Sequence, residues 1–134
     1  MTTYTFDEQI ISDLHKDARG FRPTKSWWID WQDATPAEKQ AIWDHLCDEH
    51  ENAMREETER KDLALRDMQR RIAELRALGA GDDQTAIRWI IEGEEFDEYD
   101  LAYGADFFCY HFGLAFGVDL PIQAAINELT ARVA

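Results

Sequence analysis

Apolar residues recur at helical spacing along most of the chain, and the first group of them stands near its start. One helical face there carries Ile10, Ile11 and Leu14. Ahead of this face, Thr5 and Glu8 are spaced as in a capping box, in which each side chain accepts a hydrogen bond from the other residue's amide. The pattern predicts a first helix that begins at Thr5 and ends at Gly20, because glycine readily adopts the left-handed conformation of a helix end.

The longest predicted element begins at the strongest helix signal in the sequence. Thr35 is a good N-cap, Pro36 suits the first helical position, and Glu38 completes a capping box. Neither Pro nor Gly interrupts the next stretch, so residues 36–78 are predicted to form one helix about 64 Å long at a rise of ~1.5 Å per residue. Because residues 55–62 include no large apolar side chain, we expect either a projecting helix or an antiparallel pair.

The two halves of this long helix differ in their apolar pattern. The first half carries Ile42, Leu46, Ala53 and Met54. The second half alternates spacings of three and four, as in a coiled-coil seam: Leu65, Met68, Ile72 and Leu75. The seam favours a homodimer, provided that the helix does not fold back on its own domain.

Glycines and one proline divide the C-terminal part of the chain. Gly79 and Gly81 mark a turn, after which Asp82 or Asp83 caps a helix that ends at Gly93. The core face of that helix consists of Ala86, Ile87, Ile90 and Ile91. The pattern therefore predicts a buried helix directly after the turn.

The remaining C-terminal residues give one clear signal and one ambiguous one. Residues 94–118 are rich in aromatics and glycine, which predicts one helix with a turn, or a short strand near 105–118. Pro121 opens a last helix. Its apolar stripe consists of Ile122, Ala125, Ile126, Leu129 and Val133. Together the elements predict an all-α fold, built as a single domain of residues 1–134 around one long helix.

The overall charge narrows the classes of partner. The chain has 14 Lys and Arg against 28 Asp and Glu, for a formal net charge of -14. Such a charge repels phosphate, which disfavours direct binding to nucleic acid or to an anionic membrane and favours a basic protein partner. No export signal precedes the first helix, Cys47 and Cys109 lack a CxxC frame, and Phe107–Val118 is too short to span a bilayer, so we expect a cytoplasmic protein.

The acidic residues fall into two blocks. Between Asp44 and Asp62 there are eight carboxylates over about 28 Å of helix, one per ~3.5 Å, which is close to the ~3.4 Å spacing of phosphates along one DNA strand. Two interpretations are open: the block imitates a nucleic-acid backbone, or it is an ordinary solvated face with ion pairs such as Glu56 with Arg60. The second block extends from Glu92 to Asp100 and contains no Lys or Arg that could neutralise its carboxylates. The candidate partner-binding acids are Asp44, Asp48, Glu49, Glu51, Glu56, Glu59, Asp62, Glu92, Glu94, Glu95, Asp97, Glu98 and Asp100.

Tryptophans form a second candidate binding feature. Trp27, Trp28 and Trp31 lie along one side of a predicted short helix, and Trp43 follows soon after. Large aromatic residues usually belong to a core, which favours rings that join the N-terminal region to the long helix. Tryptophan is also enriched at interaction hot spots, so an exposed aromatic patch is the alternative.

Metal and catalytic sites find little support in the sequence, and no cofactor is predicted. His45, Cys47 and His50 diverge around a helix, and Glu92–Asp100 lacks the frame of a calcium loop. Cys109 and His111 would share a face only in a strand, so a buried structural pair is the better interpretation. Glu56-x-x-Glu59 and Glu94-x-x-Asp97 resemble the magnesium motifs of MazG-type nucleotide pyrophosphohydrolases, but their separation exceeds the one usual in that family.

Several segments resemble small acidic proteins encoded by tailed bacteriophages. These segments are Tyr4-Thr5-Phe6, Ile11 to Asp17, Gly20 to Pro23 with the three following tryptophans, Ala86 to Ile90, and Asp100-Leu101-x-Tyr103-Gly104. The resemblance implies a phage setting and no particular activity. In that setting it suggests an inhibitor of a host nucleic-acid-binding defence complex, such as an anti-CRISPR or anti-restriction protein. The alternatives are an assembly or chaperone-like protein that uses the tryptophans and the seam, and a magnesium-dependent nucleotide hydrolase.

Overall fold

The structure is a computed structural model that describes residues 3–133, except the side chain of Val133. Over these residues it is all-α, as predicted, with seven α-helices and no strand. The helices are α1 (Ile11–Arg19), α2 (Lys25–Asp33), α3 (Pro36–Leu75), α4 (Asp83–Gly93), α5 (Glu98–Ala102), α6 (Ala105–Phe112) and α7 (Ile122–Val133). A π-helical turn, Arg76–Ala80, follows α3.

The described chain divides into two compact units. Unit 1 extends to Thr58 and unit 2 begins at Glu59. Unit 1 therefore contains α1, α2 and the first part of α3, and unit 2 contains the rest of α3 with α4 to α7. That the two units constitute one domain, as the chain length suggests, stays a prediction.

The first helix begins later than its capping signal predicts. The amides of Thr5 and Phe6 both donate to Oε1 of Gln40, at 2.6 and 3.2 Å, and the Glu8 carboxylate pairs with Lys39. Both capping groups are thus engaged with the start of α3, and α1 begins only at Ile11, with no side-chain cap. The predicted end at Gly20 is confirmed, since its φ of 86° is left-handed.

A small aromatic core holds unit 1 together. Ile11, Trp31 and Leu46 are buried, and the rings of Trp27 and Trp31 stack with their centroids 5.5 Å apart. His15 is buried beside them, and its Nδ1 donates to the carbonyl of Phe21 at 2.7 Å. Tryptophans therefore join α2 to α1 and α3, which is the core role that their residue type favours.

The long helix is confirmed, and it is continuous. At its start, the Glu38 amide donates to Thr35 Oγ1 and the Thr35 amide donates to Glu38 Oε1, both at 3.2 Å, so the predicted capping box is present. Residues 55–62 stay helical although they include no large apolar side chain, so the antiparallel pair is wrong. At the far end Gly79 adopts a φ of 127°, which no β-carbon-bearing residue adopts easily.

The seam of α3 forms part of the core of unit 2. Met68 and Ile72 are buried, with Leu65 and Leu75 half-buried against the same cluster. Their partners include the predicted core residues of α4 and α7: Ala86, Ile87, Ile90, Ile91, Ile122, Ala125 and Ile126. Because the seam packs within its own chain, the coiled-coil basis for a homodimer is lost.

In unit 2 the predicted boundaries of α4 are confirmed, and the prediction for the segment after α4 is corrected. Asp82 caps α4, since its Oδ1 accepts from the Thr85 amide at 2.7 Å, and the helix ends at Gly93. The described part of 94–118 contains two helices, α5 and α6, and the predicted strand is wrong. Phe108 and Cys109 are buried against the core, so tertiary packing allows a short helix between Gly104 and Gly113.

Candidate protein-binding surfaces

Three carboxylates on α3 form an exposed stripe in unit 1. Asp44, Asp48 and Glu51 follow the i, i+4, i+7 spacing of a single helical face, opposite the buried Leu46. Among the described residues none forms an ion pair with them, and the Asp44 carboxylate accepts only one hydrogen bond, from Gln40 Nε2 at 2.8 Å. We call these three residues the acidic stripe.

Glu49, between the stripe residues in sequence, has a structural role instead. Its two oxygens accept from the Arg19 guanidinium at 2.8 and 3.2 Å, and His45 Nε2 lies 2.9 Å from Oε1. The hydrogen bond from Arg19 lowers the pKa of the Glu49 carboxyl and raises the pKa of the Arg19 guanidinium. This contact joins α1 to α3 and gives Glu49 a structural role, while its part in partner binding stays a prediction.

The remaining acids of the first block are exposed but less regularly arranged. Glu56 in unit 1 and Glu59 and Asp62 in unit 2 have no ion-pair partner among residues 3–133. Arg55 stands one turn after Glu51 on the same helical face and interrupts the row of carboxylates. Consecutive carboxylates of the stripe are four and three residues apart, about 6 and 4.5 Å along the helix axis, which is wider than the ~3.4 Å between phosphates of one DNA strand. The case for imitation of a nucleic-acid backbone is therefore weaker than the number of carboxylates in the first block implies. A helix distributes its side chains over all faces, so only part of the block lies on one face.

Three of the six acids of the second block form contacts within unit 2. Glu94 lies 3.7 Å from the Arg71 guanidinium and 3.3 Å from His111 Nε2. Asp97 and Asp100 form a capping box at the start of α5, with amide-to-carboxylate distances of 2.8 and 3.1 Å. These three acids therefore stabilise unit 2 and are poorly available to a partner.

The other acids of this block surround an apolar groove in unit 2. The groove lies between α4, α5 and α7, encloses about 590 Å³ and is open to solvent. Its apolar walls and floor include Ile91, Phe96, Leu101, Ile126 and Leu129. Its rim carries Glu92, Glu95 and Glu98. We call it the acidic trough.

Charges on the rim are almost uncompensated. Glu95 and Glu98 are exposed, and no cationic side chain of the described chain pairs with either of them. Glu92 lies 3.8 Å from Nε of Arg88, a distance too long for a hydrogen bond, and the guanidinium makes its short contact with Glu128 instead, at 2.7 Å. The trough thus combines apolar surface with accessible negative charge.

Tryptophans offer a partner less surface than the sequence suggests. Trp31 is 3% exposed, so its ring cannot be part of an exposed patch. Trp27 and Trp28 are half-buried and contact each other edge to face at 5.3 Å. A partner could therefore contact only part of the surface of these two rings.

The residues considered for catalysis or metal binding are dispersed. Cys109 is buried on α6, and this burial raises the pKa of its thiol, while His111 is exposed and pairs with Glu94, so the expected buried pair is wrong. Burial and neighbouring carboxylates also raise the pKa of the Cys47 thiol, which disfavours a reactive thiolate. Within residues 3–133 there is no group of three His, Cys, Asp or Glu side chains that could hold a metal ion.

Sequence reasoning missed the trough, although it selected the acids of its rim. Phe96 interrupts the run of carboxylates from Glu92 to Asp100 and Leu101 directly follows it, and these apolar residues among the acids were the available signal. Ile126 and Leu129 looked like ordinary core residues of an amphipathic helix. Only the placement of α5 beside α7 brings these side chains together around an open groove.

Comparisons with known proteins give no match, so the functional inference depends on the geometry. No protein-family model, no curated protein and no solved structure matches the chain. Across the described helices, none is both long enough and apolar enough to cross a membrane.

Proposed function

We propose that this chain is a non-enzymatic, protein-binding inhibitor that occupies a basic groove on a host nucleic-acid-binding complex in the cytoplasm. The observation that supports this most directly is the acidic stripe, whose three carboxylates are exposed on one face of α3 and have no ion-pair partner among the described residues. A groove built to hold phosphates offers Lys and Arg side chains at which such carboxylates are stabilised. The resemblance to phage proteins suggests the anti-CRISPR or anti-restriction class.

The net charge of -14 supports the same proposal at longer range. An excess of negative charge accelerates the encounter with a basic surface and repels nucleic acid from the complex once it forms. Both effects weaken when salt shortens the Debye length to ~8 Å at physiological ionic strength. Salt sensitivity is therefore the expected signature of this mode of binding.

The rival role in phage assembly depends on surfaces that the fold already uses. It requires the tryptophans and the coiled-coil seam to be accessible. Trp31, Met68 and Ile72 are each less than 5% exposed. These buried side chains therefore do not favour that role over binding through carboxylates.

The proposal is tested with tagged protein and a nuclease-treated bacterial lysate. The captured proteins are identified by mass spectrometry after washing at low and at high salt, and labelled DNA or RNA is then offered to each captured complex. We expect a nucleic-acid-binding complex that high salt releases, and that fails to bind its labelled nucleic acid while this protein is attached. A complex that still binds nucleic acid in full would contradict groove occupation.

Charge-neutral variants identify the surface responsible. Neutralising the stripe, with Asp44→Asn, Asp48→Asn and Glu51→Gln, should weaken capture roughly tenfold if each carboxylate contributes about 0.5 kcal/mol. The matched control neutralises three other exposed acids of unit 1, with Asp17→Asn, Asp30→Asn and Asp33→Asn. Equal losses in both triple variants would indicate attraction by net charge alone and would remove the stripe as a specific site.

A further inference from the structure

The acidic trough is a second surface suited to binding, and its floor is apolar enough to bury a partner's side chains. Ile91 and Ile126 are each 3% exposed and form its base, while Phe96, Leu101 and Leu129 remain half-exposed along its walls. Binding is favoured when a partner's apolar side chains displace water from such half-exposed apolar walls. At about 590 Å³ the space is sufficient for several side chains.

The charges of the rim determine which kind of partner fits. Three carboxylates border the trough, and they repel the phosphates of nucleic acids and the headgroups of anionic membranes. Lys and Arg side chains match such a rim, because their aliphatic stems can lie on apolar walls while their charged ends reach the carboxylates. An open trough favours an extended or helical segment over a small molecule, which usually requires a more enclosed pocket.

We infer that the acidic trough binds a basic amphipathic helix of a partner protein. The apolar face of that helix inserts between α5 and α7, and its flanking Lys or Arg residues pair with Glu95 and Glu98. This is the helix-in-groove mode of recognition, in which apolar side chains at i, i+3, i+4 and i+7 serve as anchors. The inference rests on the proposed function, since it specifies a second contact, in unit 2, with the same basic class of partner.

The binding mode is tested with defined peptides and the full chain. The probe is a fluorescein-labelled helical peptide of Leu and Lys, about 18 residues long so that its helix is stable. The comparison peptide keeps the leucines and has Glu in place of every Lys. Fluorescence anisotropy should show binding of the Lys peptide and no binding of the Glu peptide. Equal binding of the two peptides would overturn the role of the rim.

Variants separate the trough from general attraction by a negative protein. Glu95→Gln with Glu98→Gln should weaken the Lys peptide roughly fivefold at low salt. The control, Glu74→Gln with Asp119→Asn, removes two exposed carboxylates of unit 2 outside the trough and should change affinity by less than about twofold. Equal losses in the two double variants would mean unspecific charge attraction and would overturn the proposal.

Two further variants test the apolar contact and the location of the bound peptide. Leu129→Ser shortens one wall and should weaken binding at high salt as well as at low salt, because apolar burial is not screened. Thr130→Lys places a cation at the exposed edge of the trough, where no core packing is disturbed, and should weaken the Lys peptide even if the first variant fails to fold. Unchanged affinity in folded Thr130→Lys would exclude the trough as the binding site.

A last comparison distinguishes the occupants and the two proposals. If sedimentation shows a dimer that Thr130→Lys disrupts, a second copy covers the trough and the basic-helix proposal is wrong. If stripe variants abolish capture of the nucleic-acid-binding complex while trough variants leave both capture and peptide binding unchanged, the proposed function stands without the trough. If the trough variants alone reduce peptide binding while the stripe variants leave capture intact, the helix proposal survives and the stripe is excluded.

Discussion

Single residues in unit 1 show how burial distinguishes a core tryptophan from a binding one. Trp31 stacks on Trp27 and contacts Phe6 edge to face, with centroids 5.5 and 5.9 Å apart. Ile29, two residues away in α2 and on the opposite side of the helix, is 51% exposed. Both residues lie in α2, but the fold buries Trp31 and leaves Ile29 exposed to solvent. Residue type alone could not separate these roles, because tryptophan is common both in cores and at interfaces.

The burial of Trp31 leads to a stability prediction. Trp31→Ala should lower the free energy of unfolding by about 3–5 kcal/mol, because it removes a large buried ring and leaves a cavity. Ile29→Ala is the control in the same helix and should change it by less than about 0.5 kcal/mol. Urea unfolding followed by circular dichroism measures both. A small effect at Trp31 would mean that the ring is not essential to the core of unit 1.

At the scale of helices, one carboxylate links α4 to α7. Glu128 Oε1 accepts from Arg88 at 2.7 Å and from Arg132 at 3.1 Å, and Oε2 accepts from Gln84 at 3.2 Å. The hydrogen bond from Gln84, together with the hydrogen bond and the positive charge of Arg88, lowers the pKa of the Glu128 carboxyl below its ordinary value of 4.5. The folded state therefore favours the charged form.

This lowered pKa gives a direction for the dependence of stability on pH. The contribution of Glu128 is fully present above pH 4.5, the unfolded value, and is lost as pH falls through the lower pKa of the folded state. Glu128→Gln should therefore reduce the loss of stability on acidification from about pH 5 to about pH 3. Melting temperatures recorded across this pH range measure the loss of stability. Glu74→Gln, at an exposed position, should leave the curve parallel to that of the unchanged protein, and a parallel curve for Glu128→Gln would refute the assignment.

Helix boundaries were predictable where the signal was local and failed where a distant residue intervened. Gly20, Gly93 and the Thr35 capping box are local signals, and each stands at a helix end as predicted. The similar signal at Thr5 failed, because Gln40 accepts from the Thr5 amide across 35 positions. The trough could not be predicted for the same reason. Its walls come from three helices whose arrangement no local pattern encodes.

Over the whole molecule, charge is arranged in three distinct ways. Some carboxylates join helices, as Glu49 and Glu128 do. Others cap a helix, as Asp82 and Asp97 do. The stripe and the rim of the trough do neither, and they contribute to the self-repulsion of a chain whose net charge is -14. Carboxylates that cost stability without stabilising a helix are the ones that a binding function best explains.

This surplus charge predicts that salt stabilises the fold. Raising NaCl from about 0.01 M to about 0.15 M shortens the Debye length from ~30 to ~8 Å, which screens repulsion between distant carboxylates. Close pairs such as Arg19–Glu49 and Arg88–Glu128, at 2.8 and 2.7 Å, are screened much less. The melting temperature should therefore rise with salt. It should rise less in the triple variant that neutralises Asp44, Asp48 and Glu51, because that protein carries three fewer negative charges. A melting temperature that falls with salt would mean that ion pairs dominate over repulsion, and the unpaired carboxylates would then need no functional explanation.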